Sequence, residues 1–292
     1  MKHTMKSVLL LVGLAGFFMM IGHWVGGSSG MFIALLFSLA MNLGAYWYSD
    51  KMVLAMHKAE QIDASHASGV YQIVEELCAK ASLPMPKVYI TPEKLPNAFA
   101  TGRNPENAAV AVTSGLLDIL DYRELRGVLA HELGHVKNRD ILISTIVASI
   151  ASAVMYLAHM LQWFSIFGGR QEDEEGGMNP LAMLFTIIVA PFVALLIQMG
   201  VSRSREYMAD ETGAEISEDP EALASALHKI SQPDFQREEL RNHQSESQPS
   251  MSHLYIVNHL SKESLMSLFS THPPVEKRIS NLRLLKRKLQ EI

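Results

Sequence analysis

The chain has 292 residues, with 25 Lys and Arg against 30 Asp and Glu, a formal net charge of -5 and a hydrophobic fraction of 48%. That length suits one or two domains, and mild acidity without a dense basic cluster excludes a nucleic-acid surface. Cys78 is the sole cysteine, which excludes an intrachain disulfide and a thiolate zinc cluster; it reads as a small core residue.

In chain order, the apolar residues fall in long blocks. Four of these, from about Ser7 to Trp24, Met31 to Tyr48, Ile141 to Trp163 and Pro180 to Gly200, contain no Asp, Glu, Lys or Arg. Each is near the ~20 residues that cross ~30 Å of hydrocarbon. The first is not read as a signal peptide, because no Ala-x-Ala site follows it and a second block comes almost at once. The blocks therefore predict two helical hairpins. Lys2 and Lys6 place the N-terminus in the cytoplasm, and the uncharged loop around Gly26 to Gly30 crosses easily. The second hairpin loop holds Arg170 and the acidic run Glu172, Asp173, Glu174, Glu175.

Two mixed segments remain, roughly Ser49–Asp140 and Val201–Ile292, expected on the same face of the membrane. The domain plan is thus a hairpin over 1–48, a first soluble half over 49–140, a second hairpin over 141–200 and a second soluble half over 201–292. In the first half, Gly69–Ser82 reads as a helix and Lys87–Ile90, Asn97–Thr101 and Ala108–Val112 as short strands separated by turn residues. Thr113–Leu120 and Tyr122–Lys137 read as helices. The second half reads as mostly helical, interrupted by a polar stretch over Gln236–Ser252. The basic tail from Lys277 to Lys288, with Leu282, Leu285 and Leu289 at helical spacing, reads as a solvated amphipathic helix.

The helix from Tyr122 carries the chemistry. Asp121 is an N-cap, with Glu124 three residues on as a capping box, and Leu125, Val128 and Leu129 form its packing stripe. His131 and His135 are four apart, so they project from one face about a turn apart. Two imidazoles so placed bind one Zn²⁺ at ~2.0–2.1 Å each. Glu132 stands beside them, where a carboxylate takes a proton from water. This is the His-Glu-x-x-His logic of zinc peptidases, and chance produces the motif in roughly a few per cent of chains this rich in His.

A catalytic zinc needs a third protein ligand. Asn138 and Asp140 are near in sequence. Glu206, in the run Ser202–Asp210 just after the fourth block, is the better candidate, partly on the family resemblance given below; on a helix it shares a face with Asp210. Asp210 would then accept the free ring N–H of a ligand His. On spacing alone a surface ion pair of Glu206 with Arg203 is equally good.

These residues, together with the first hydrophobic hairpin, Asn97-Ala98-Phe99-Ala100-Thr101-Gly102, the acidic second-hairpin loop, Arg205–Asp210 and Thr271-His272-Pro273-Pro274, resemble the HtpX family. These are bacterial membrane-bound heat-shock metalloproteases, related to the CAAX prenyl proteases. The resemblance implies a mostly helical α+β membrane protein, with about four transmembrane helices and a cytoplasmic zincin-like protease domain holding a small β-sheet. It implies His131, His135 and Glu206 as ligands of one zinc ion, Glu132 as the catalytic residue and Asp210 as support. It implies a multi-pass protein of the bacterial inner membrane, with its active site on the cytoplasmic side, that cleaves misfolded or damaged membrane proteins and unfolded polypeptides as stress quality control. A prenyl-protease-like peptidase of narrow specificity is the alternative.

His272, followed by two prolines, reads most simply as a turn residue; in related proteases a histidine matching it lies near the active site, and Arg278 is placed near it. The strand over Asn97–Thr101 offers an edge on which an extended substrate adds as a further strand. There is no Gly-x-x-x-x-Gly-Lys-Ser/Thr run, so no nucleotide partner is expected.

Overall fold

A computed structural model describes residues 2–64, 69–147, 203–232 and 273–290. Most of the third apolar block, all of the fourth, the acidic run around Glu172, the polar stretch Gln236–Ser252 and His272 lie outside the described residues.

The first two apolar blocks belong to α1, Lys2–Met56, whose helical backbone breaks at Gly26 (φ -137°, ψ 19°) and Gly27 (φ 59°, ψ -144°). Along a straight helix Phe18 and Phe37 would stand about 28 Å apart. Their ring centroids are 5.9 Å apart, edge to face. The two halves therefore fold back on each other as the expected helical hairpin, turned where Gly27 takes a positive φ without steric cost. Among the described residues no helix is long and apolar enough to cross a membrane, so the expected count of four crossings stays an expectation. The second half of the hairpin continues past residue 48 to Met56.

The sheet has four strands in the order β1-β2-β4-β3: β1 Glu60–Ile62, β2 Lys87–Thr91, β3 Ala98–Gly102 and β4 Ala108–Thr113. β2 and β4 are parallel, and the other pairs are antiparallel. Side chains alternate across the sheet. Ala98, Ala100, Val110 and Val112 join the main core with the helices, whereas Phe99, Ala109 and Ala111 pack on Val53 and Leu54 of α1. Every residue of β3 and β4 is buried. Because both faces are covered, these strands read as continuous apolar runs. β1 was not expected from sequence: three residues with one buried side chain give no periodic signal.

The helices cover the face of the sheet opposite α1. In α2, Gly69–Ala81, the residues Val70, Ile73, Val74, Leu77, Cys78 and Ala81 are buried at helical spacing. The short α3, Ser114–Ile119, starts where the Thr113 hydroxyl accepts the Leu116 N–H. In α4, Tyr122–Lys137, the capping box is present in both directions between Asp121 and Glu124, a cap worth ~1 kcal/mol. Buried Glu124 also accepts from Ser225 Oγ at 2.8 Å and Lys229 Nζ at 2.5 Å. It thereby ties the start of α4 to a later helix. That helix is α6, Pro220–Ile230, which follows α5, Arg203–Ser217; α7, Val275–Gln290, packs on both. The centre of the described fold is α4, in contact with α2, α5, α6 and β3.

Candidate metal centre

Two helices cross at the site, and they are pressed together. A Cβ on Gly213 of α5 would lie 2.8 Å from the Cα and N of His131, and one on Gly134 would lie 2.8 Å from the carbonyl oxygen of Ala209. Only the absence of side chains at these two points lets the backbones approach so closely. The approach brings the inward side chains of α5 against the histidines of α4.

His131 Nε2 and His135 Nε2 stand 3.2 Å apart, with the rings at 82° to each other. Glu206 Oε2 lies 3.8 Å from His131 Nε2, and Glu206 Oε1 lies 3.7 Å from His135 Nε2. Each of the three residues offers a ligand atom within 4.8 Å of the others. Two donors bound at ~2.0–2.1 Å to one tetrahedral ion stand about 3.3–3.4 Å apart, so the pocket has the dimensions of a metal site. Glu206 is buried against the histidines, which decides the alternative left open in the sequence: its carboxylate does not lie on the surface beside Arg203.

Both imidazoles are held from behind. His135 Nδ1 lies 3.1 and 3.2 Å from the two carboxylate oxygens of Asp140. His131 Nδ1 lies 3.0 Å from Asp210 Oδ1, a close contact set off the line of a straight hydrogen bond. Carboxylates on Nδ1 favour the tautomer whose Nε2 lone pair is free to bind a metal. Asp140 reaches His135 through a turn: Asp140 N–H donates to His135 O and Arg139 N–H to Val136 O, with Arg139 at φ 58°. This is a Schellman arrangement, with arginine where glycine is usual. Asp140, a candidate ligand on sequence spacing, instead stands behind a ligand.

Glu132, Asp140, Glu206 and Asp210 are buried here with Arg205 and Arg278. Burial pushes Glu132 up to about 8, Glu206 adds to the rise, and His135 and the N–H of Ala100 oppose it. For His135, burial works downward, but Asp140, Glu206 and Glu132 hold the imidazole up at about 10. Burial, Arg278 and His135 hold His131 below its ordinary value, against Asp210. Two imidazoles and one carboxylate suit zinc best among common divalent ions, and the residues present fit it.

Glu132 points from α4 to the sheet, where the backbone N–H of Ala100 donates to it. β3 is an edge strand, and the next outward N–H, that of Gly102, donates to Thr145 Oγ1 at 3.1 Å. Arg278, placed near the active site in the sequence only through the family resemblance, comes from a segment that by itself reads as a solvated basic helix. It is wholly buried; its Nε donates to Asp210 Oδ2 at 2.9 Å and its Nη2 to Asp210 Oδ1 at 2.7 Å. The one sequence signal for it is its place at helical spacing, four residues before the core residue Leu282.

The sequence pattern described as Peptidase family M48 matches residues 64–286. A "Protease HtpX homolog" of Syntrophobacter fumaroxidans is 53% identical over 285 residues, covering 97% of this chain and 99% of that protein. Another, from Persephonella marina, is 50% identical over 297 residues, covering 99% of this chain and 100% of that protein. The crystal structure of S. mikatae Ste24p shares the fold at a TM-score of 0.50 and 17% identity; the match covers 96% of this chain and 65% of that one.

Proposed function

The chain belongs to Peptidase family M48 and is an HtpX-like metalloprotease; from that premise we propose that it is a zinc endopeptidase of the bacterial inner membrane, acting on misfolded or damaged membrane proteins from the cytoplasmic side. The observation that carries the zinc assignment is the convergence of His131 Nε2, His135 Nε2 and the Glu206 carboxylate, with Asp210 and Asp140 behind the two rings.

In this reading His131, His135 and Glu206 hold one zinc ion. Bound there, zinc supplies Lewis acidity and lowers the pKa of water at the centre towards ~7. Glu132 is the general base. Its carboxylate accepts the proton of the attacking water and returns it to the departing amine. The N–H of Ala100 keeps that carboxylate turned towards the edge strand, along which an extended substrate segment would lie. Recognition through backbone hydrogen bonds reads shape rather than sequence, which suits many substrates.

Support for a membrane site comes from the surface of α1. Phe32, Ile33, Phe37 and Leu39 are all more than half exposed on the hairpin. Contiguous exposed apolar surface of this kind belongs against lipid or a partner. At its end, Trp47 and Tyr48 carry Arg103 and Lys51 over their rings, the pairing of aromatic and basic groups found at membrane interfaces. The second hairpin over 141–200 completes the membrane part in this proposal.

The test is Glu132→Gln, assayed for metal content and for cleavage of an unfolded protein such as casein. We expect the variant to retain the metal and lose turnover. Normal turnover would remove Glu132 from the mechanism; loss of the metal would make it a ligand instead.

A further inference from the structure

Arg278 is the largest fully buried side chain in the described fold, and it comes from the last described helix, α7. A buried guanidinium costs several kcal/mol unless its donors are met. Here both oxygens of Asp210 meet them, at 2.9 and 2.7 Å, in the two-pronged geometry that a planar fork makes with a carboxylate. The same Nη2 stands 3.4 Å from His131 Nε2, and Nη1 stands 3.8 Å from Glu206 Oε2. One cation thus grips the carboxylate behind His131 and stands close to His131 and to the candidate third ligand.

We propose that Arg278 is a positioning residue of the metal centre: its fork fixes the carboxylate plane of Asp210 and its charge faces Glu206 at 3.8 Å, so that α7 supports the ligand set built by α4 and α5. The inference rests on the reading of His131, His135 and Glu206 as a zinc site.

The geometry explains how it acts. Asp210 Oδ1 lies between Arg278 Nη2 and His131 Nδ1, at 2.7 and 3.0 Å. A carboxylate gripped at both oxygens has no freedom to turn, so Oδ1 stays against the imidazole. Glu206 and Asp210 are four apart on one face of α5, so a single guanidinium spans both. Their mutual repulsion, which would splay the two acids, is offset by the charge between them. A lysine would keep the charge but lose the planar fork. α7 is held in register for this by Leu282 in the core and by Arg283 and Lys286 on Glu221 of α6.

The experiment compares wild type, Arg278→Lys and Glu206→Gln as full-length protein. Zinc affinity is measured by chelator competition, the visible spectrum of the cobalt-substituted protein is recorded, and the melting of each metal-free form is followed. Wild type should bind one zinc tightly and Glu206→Gln should not; any other result overturns the underlying site reading. With that control satisfied, folded Arg278→Lys should bind zinc 10–100-fold more weakly, the range for residues that orient ligands. Its cobalt bands should shift as the ligand field distorts. Wild-type affinity and spectrum in folded Arg278→Lys would overturn the role of Arg278. Should Arg278→Lys not fold, Asp210→Asn takes its place, which keeps the shape of the gripped residue and removes its charge. The same loss of affinity and altered spectrum are then expected, and wild-type behaviour again overturns the proposal.

Discussion

Replacing Gly213 with alanine tests whether the close crossing of α4 and α5 sets the metal centre. The new Cβ would meet the Cα and N of His131 at 2.8 Å and the C of Ala130 at 3.0 Å. All are backbone atoms, so no side chain can swing aside. Ordinary contact begins at 3.4 Å, so the helices must separate locally by about 0.6 Å, an overpacking change that costs ~1–3 kcal/mol. The gain in helix propensity offsets up to ~1 kcal/mol of this, leaving a net stability loss of ~0–3 kcal/mol. The effect on the site is larger. Glu206 lies about two turns along the same helix, and a metal site tolerates displacements of only about ±0.2 Å. Zinc affinity should therefore fall by at least the ~10–100-fold typical of disturbed ligand support. Chelator competition measures it, with Glu211→Ala on the exposed side of α5 as a control that should bind as wild type. Wild-type affinity in Gly213→Ala would refute the claim that this crossing places the third ligand.

Further outcomes follow from the fold. Arg139 sits at φ 58° in the turn that carries Asp140; Arg139→Val should lower stability by ~1–2 kcal/mol, while Arg139→Gly should not, as denaturant melts would show. Burial pushes the Cys78 thiol up to about 11, leaving about a thousandth as thiolate at pH 8. Mass spectrometry should therefore find it unmodified by iodoacetamide in native protein and modified after denaturation; rapid native labelling would contradict its burial. The hydrogen bond from Arg123 holds Asp219 below its ordinary value of 3.8. A lowered carboxylate stabilises the fold above that pH and loses the effect as pH falls. Arg123→Ala should thus cost up to ~1 kcal/mol near pH 7 and almost nothing near pH 2, and a pH-independent cost would point to packing instead.

Much of this was legible in the chain because the signals were local. Asp121 with Glu124, and His131 with His135, are fixed by the geometry of one helix, and α4 starts and ends where the sequence predicts. The face shared by Glu206 and Asp210 was equally readable, although only the fold brings it to the histidines. Arg278 was readable only through the family resemblance: its basic neighbours have the composition of a solvated face, and its partner Asp210 is remote in sequence. The place of Asp140 behind His135 was not readable either, since nothing in Asn138-Arg139-Asp140 announces a left-handed residue where glycine is usual. β1 fell below the length at which alternation can be detected. The pairing of α1 with the sheet was hidden as well, because Val53 and Leu54 look like the tail of an apolar block rather than part of a core.

That pairing has a practical consequence. Val53 and Leu54 close the outer face of the sheet over Phe99, Ala109 and Ala111, and His57 bonds Glu93 at 2.5 Å just beyond. Trimming the first hairpin from the protease would succeed or fail within this one helical turn. A chain begun before Val53 keeps its own lid on the sheet. One begun after His57 leaves Phe99 and its neighbours bare, directly behind the strand whose Ala100 meets Glu132, and the resulting protein should aggregate.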